Sequence, residues 1–178
     1  PEPKQSRTSS LIKVGYAIDY LGEFQRREGY STPTGFEIGY QHERDGFALD
    51  LWLRDTQSSE ETLESVASIG IGFLYFLTPR ANHSTFLGTS IGFLGLSGFD
   101  THGNHKWDDY SLNGRLSIGM MYFRSSFARV TVQFDYNQVF NPIPAHIHSC
   151  YHRVSECDEE HYFQHPVFGV SVSGSIAL

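Results

Sequence analysis

Between Leu11 and Leu21 the chain alternates apolar and polar residues, with Ile12, Val14, Tyr16, Ile18 and Tyr20 on one face and Lys13, Gly15, Ala17 and Asp19 on the other. A period of two is the mark of an extended strand lying between an apolar and a polar medium. The same pattern recurs in Gly35 to Glu43, Phe47 to Arg54, Ala67 to Leu77, Thr85 to Leu96, Leu112 to Phe123, Phe127 to Val139 and Val167 to Leu178. In the fifth segment, Leu94 and Leu96 blur the phase that Leu87, Ile91 and Phe93 set. Strands are predicted in all of these segments, and no helical period competes with them.

The connections alternate in length. Long ones span about 22–34, 55–65, 97–111 and 140–166, and short ones span Arg44 to Gly46, Thr78 to Ser84 and Arg124 to Ser126. Arg44-Asp45-Gly46 is a tight-turn signal of the hairpin kind. Such regular sorting of loops predicts an all-β chain, an eight-stranded antiparallel up-and-down transmembrane β-barrel with short periplasmic turns and long external loops. Residues 1–10 are expected to be a periplasmic tail and 11–178 the barrel.

The less apolar face of the strands carries Lys13, Asp19, Glu37, Asp50, Arg54, Arg115, Arg129 and Asp135 among small and amide residues. The interior of a barrel of eight strands is just wide enough for side chains to fill, so these charges are expected to pair in a salt-bridged plug with no open pore. The other face is almost free of charge. In water it would form a far larger apolar patch than a soluble monomer exposes, which points to lipid contact. Tyr20, Tyr40, Phe47, Tyr75, Tyr122, Phe127 and Tyr136 fall near strand ends, where aromatic girdles sit at the headgroup level.

Composition agrees with this division. The chain of 178 residues is 15% aromatic and contains 17 glycines, yet its mean hydropathy is only −0.32, because half of each strand is polar. The formal net charge of −7 comes with no Lys/Arg cluster, which excludes a nucleic-acid partner. No stretch is long and apolar enough for a spanning helix, and Pro1 to Ser10 lacks the apolar core of a signal peptide, so if the protein is exported this is expected to be its mature form. Cys150 and Cys157 suit a small disulfide loop made in an oxidising compartment.

Laid out in this way, the chain resembles the small eight-stranded outer-membrane barrels of the OmpA, OmpX and opacity-protein type. The resemblance covers almost the whole chain and rests on architecture. It implies the outer membrane of a Gram-negative bacterium, contact with outer-membrane lipids and lipopolysaccharide, a monomeric barrel, and surface loops that serve adhesion to an extracellular protein or glycan. The family commonly ends in an aromatic residue, whereas this chain ends Ser175-Ile176-Ala177-Leu178.

Three groups of residues are candidates for chemistry. His146, His148 and His152 lie in the last long loop, where His146-x-His148 on extended chain points both imidazoles the same way and suits zinc or copper. That makes a surface metal- or haem-related binding protein one alternative. In the third loop, His102, Trp107 and Tyr110 combine aromatic and polar groups that suit protein recognition. A lipid A-modifying enzyme is the other alternative. No G-x-S-x-G elbow occurs, and spacing assembles no nucleophile, base and orienting acid, so no catalytic residue is assigned and a non-enzymatic role is expected.

Overall fold

A computed structural model describes residues 8–22, 31–59, 63–79, 81–99, 106–145 and 161–178; for 99, 106, 107, 144, 145, 161 and 162 it describes the backbone alone. Its strands are β1 (Thr8–Tyr20), β2 (Thr34–Arg44), β3 (Phe47–Gln57), β4 (Ser65–Phe76), β5 (Ser84–Phe99), β6 (Lys106–Tyr122), β7 (Ala128–Val139), β8 (Ile143–Ala145), β9 (His161–Phe163) and β10 (Val167–Ala177). Each of β1 to β7 pairs antiparallel with the next, and β10 pairs with both β7 and β1. These eight strands close the barrel, while β8 and β9 form a separate two-stranded sheet. Closure leaves no open edge around the cylinder, so backbone groups are satisfied within it.

The two faces sort as the alternation predicts. Ile69 is 53% and Ile71 46% exposed on the outer face, whereas Arg115 and Arg129 are 2% and 4% exposed inside. The barrel strands have 11 to 17 residues, enough for the roughly 9–11 that a tilted membrane strand requires. Around the outside, Phe47 and Tyr75 pack at 5.1 Å near the turn end. Tyr136 packs on Phe168 at 5.5 Å and Phe93 on Tyr110 at 6.3 Å near the loop end. These are two aromatic belts bounding an apolar band.

Asp45 and Gly46 have φ of 52° and 110°. Positive φ at both central residues of a two-residue hairpin matches the right-handed twist of the flanking strands, and Asp-Gly is a preferred pair there.

Three features differ from the sequence expectation. First, β1 begins at Thr8, which pairs with Arg44, so Thr8 to Ser10 belong to the barrel and not to a tail. Second, the β5–β6 ladder continues through Ser97↔Asp108 and Gly98↔Trp107 to Phe99↔Lys106. Backbone pairing needs no apolar side chains, so the hairpin runs past the greasy band. Trp107 and Tyr110 therefore lie on β6 and not in a loop.

Third, the last long connection contains the β8–β9 hairpin, with Ile143 opposite Phe163. Both residues are fully buried, against Leu21, Leu63, Val66, Leu94, Leu96, Val139 and Val167. Leu94 and Leu96 blurred the phase of β5 because they point inward, to receive this apolar stopper. Burying each of its two large side chains contributes about 1.5–3 kcal/mol.

Candidate functional site

The lumen is built in layers. Beneath the apolar stopper at the loop end lies a cluster of ions drawn from five strands. Arg54 of β3 is its hub. Its Nη1 donates to Asp19 Oδ1 at 2.9 Å, its Nε and Nη2 to Glu37 Oε2 at 3.0 and 2.6 Å, and its Nη2 also to Asp135 Oδ2 at 2.6 Å. Arg115 Nη2 donates to the same Asp135 oxygen at 2.8 Å, and Lys13 Nζ lies 3.2 Å from Glu37 Oε1 and 3.3 Å from Asp50 Oδ1. Thr56 Oγ1 donates to Asp19, and Ser117 Oγ and Gln133 Nε2 donate to Asp135. The Arg115 guanidinium lies 4.2 Å over the Trp52 ring. Gly169 makes room for this crossing, since a Cβ there would run into Arg54 and Asp19.

The turn end is shared between an apolar cluster of Leu11, Ala48, Leu74, Phe76, Phe86 and Met121 and a second ion cluster. In the latter, Arg124 Nε and Arg129 Nη1 donate to the two oxygens of Glu43 at 3.1 and 2.8 Å, and Arg129 Nη2 donates to Ser9 Oγ at 3.0 Å. Arg124 also donates to the Pro79 carbonyl and lies 3.8 Å over the Phe76 ring.

Among the described residues, Lys13, Arg54, Arg115, Arg124 and Arg129 are thus buried with Asp19, Glu37, Glu43, Asp50 and Asp135, five charges of each sign. Buried ions persist only when paired and hydrogen-bonded, and removing one partner is far more costly than the pair is worth against an apolar replacement. Trp52 Nε1 and Arg115 Nε and Nη1 have no protein partner among the described residues; positions of this kind are where buried water is expected.

All eight charges anticipated from the alternation meet here, Arg129 in the second cluster and the others in the first. Glu43 and Arg124 were missed. Glu43 shares its phase with Glu37 and Gln41, so continuing the alternation one step would have found it. Arg124 could not be found in that way, because Phe123 has a φ of 56° and turns the next side chain inward out of phase.

Outside the barrel, Ser10 Oγ lies 3.0 Å from His42 Nδ1 and accepts a hydrogen bond from the Tyr40 hydroxyl at 3.0 Å. Among the described residues Ser10 is the imidazole's hydrogen-bond partner. His102, His146, His148, His152, Cys150 and Cys157 lie outside the described residues. Tyr110 stands on the outer face of β6, 78% exposed. Among the described residues no group of three His, Cys, Asp or Glu side chains is placed to hold a metal ion.

An eight-stranded closed cylinder, apolar outside and ionic inside, is the fold of the small outer-membrane barrels. No protein-family model matches the chain, and neither does any curated protein. Solved structures of similar fold include Neisserial surface protein A, 10% identical with a TM-score of 0.66, covering 98% of this chain and 100% of that one. The N-terminal β-barrel domain of Pseudomonas aeruginosa OprF is 10% identical with a TM-score of 0.55 over 96% of this chain and 100% of that one. Ail, the attachment invasion locus protein of Yersinia pestis, is 13% identical with a TM-score of 0.53 over 97% and 99%. The same protein in complex with the heparin analogue sucrose octasulfate gives 0.56 at the same identity and coverage.

Proposed function

We propose that this chain is an integral outer-membrane protein of a Gram-negative bacterium, a sealed barrel that works through its external loops and not through its lumen. The observation that carries the reading is the double obstruction of the lumen. The Arg54 cluster spans it from wall to wall, linking β1, β2, β3 and β7, and the Ile143–Phe163 stopper closes the loop end. A solute would have to break several buried ion pairs to pass, so activity falls to the loops that a rigid scaffold presents.

The ten lumen charges among the described residues cancel, so the formal net charge of −7 is carried by the rest of the chain. This favours neutral or basic partners over polyanions. Ail is named for attachment and invasion, so extracellular proteins and neutral glycans are the partners to test first, with the sulfated heparin analogue seen with Ail as the polyanionic contrast. The decisive experiment is a protein and glycan binding screen with the detergent-folded barrel and with versions lacking one loop each. Binding abolished by removing a single loop supports the reading. Ion-conducting steps in planar bilayers, or a changed acyl count in lipid A from cells making the protein, would replace it by a pore or an enzyme.

A further inference from the structure

The outer surface at the turn end of β1 and β2 carries a polar cluster that the lumen does not explain. Lys13, Gln41 and Glu43 point inward, so Ser10, Tyr40, His42 and Arg44 face outward. Ser10, His42 and Tyr40 are joined by the two 3.0 Å contacts, and exposed Arg44 stands beside them, opposite Thr8 on one side and Phe47 on the other. Among the described side chains, Arg44 is the one Lys or Arg outside the lumen.

The Phe47–Tyr75 ring pair next to it marks the headgroup level. Towards the membrane interior the same strip opens into a shallow apolar groove of about 390 Å³ walled by Ile12, Ile38, Tyr40, Leu51, Leu53 and Ile69. Tyr40 joins the two parts, since its ring lines the groove and its hydroxyl enters the polar cluster.

We propose that this strip binds one phospholipid of the leaflet on the turn side. Arg44, the His42 imidazole and the Thr8 hydroxyl receive its phosphate, with Ser10 holding His42 through Nδ1, and one acyl chain lies in the groove. A guanidinium, an imidazole and a hydroxyl together form a donor set for a phosphate oxyanion. A free anion would have no use for the groove, and a neutral chain would have no use for the arginine; an anionic amphiphile uses both. The inference rests on the reading of the chain as a membrane barrel.

The test is a titration of the barrel, folded in an uncharged detergent, with dimyristoyl phosphatidylglycerol, read by native mass spectrometry and by the heat-unfolding midpoint. One lipid is expected to be retained per chain, with a saturating rise in the midpoint. Arg44→Gln is expected to weaken retention about tenfold or more, the scale of one charge-assisted contact. Leu51→Trp, which fills the groove, is expected to weaken it as well, whereas Arg44→Lys keeps part of it. Inorganic phosphate and glycerophosphoglycerol, which lack chains, are expected to leave the midpoint unmoved.

Wild-type affinity in Arg44→Gln would overturn the inference, as would full competition by inorganic phosphate, which would reveal a free-anion site. A chain that folds without detergent and migrates alike before and after boiling would overturn the membrane reading itself, and the lipid site with it.

Discussion

Replacing Arg54 by Met keeps most of the volume at the centre of the lumen and removes its charge. Glu37 would still have Lys13 at 3.2 Å and Arg115 at 3.5 Å, and Asp135 would still have Arg115 at 2.8 Å. Among the described side chains Asp19 would keep only the Thr56 hydroxyl, at 2.9 Å. The variant therefore leaves one buried carboxylate without a cation, and the cost is that of breaking one buried pair, about 3–5 kcal/mol, not three times that. With a urea slope of about 2 kcal/mol per molar, the unfolding midpoint should fall by about 1.5–2.5 M. The assay is equilibrium urea unfolding of the barrel in lipid vesicles, followed by tryptophan fluorescence. Adding Asp19→Asn should recover a large part of the loss, because it removes the orphaned charge. A shift below about 0.5 M would correspond to a surface ion pair of at most about 1 kcal/mol. That result would refute a sealed cluster and require a water-filled lumen.

Further outcomes are expected from the same unfolding assay. Gly169→Ala should cost about 1–3 kcal/mol by overpacking, since its Cβ would meet Arg54 and Asp19; Gly174→Ala, with nothing within 4 Å, should be neutral to within about 0.5 kcal/mol. Val132→Arg, in the middle of the outer face of β7, should cost about 2–4 kcal/mol, and Ala128→Arg at the turn-end start of that strand at most about 1. Equal costs at the two positions would contradict a hydrocarbon band around the barrel. Phe163→Ala should cost about 3–5 kcal/mol by leaving a cavity in the stopper. The same variant should still fail to conduct ions in planar bilayers, because the Arg54 cluster lies below the stopper and is untouched.

Much of the architecture was legible in one dimension. Alternation is a property of the extended chain itself, so the strands, the two faces and the inward position of Lys13, Asp19, Glu37, Asp50, Arg54, Arg115, Arg129 and Asp135 could be read from residue order alone. The Asp45-Gly46 turn was legible for the same local reason, as only a few residue types accept positive φ at both positions. The apolar outer face likewise announced its solvent, since no soluble monomer could carry it.

Other features were decided only when the cylinder closed. Which carboxylate meets which guanidinium depends on strand order and stagger: Arg54 and Asp135 are 81 residues apart, and Glu43 and Arg129 are 86 apart. Leu94 and Leu96 were ambiguous because an inward leucine and an outward one read alike until the β8–β9 hairpin provides an apolar partner inside. Arg124 depended on one backbone angle, and Arg44 became notable only when the other described cations proved to be enclosed. A strand's period is set by the geometry of its own backbone, whereas the contents of a lumen are set by whichever residues the closed barrel brings face to face.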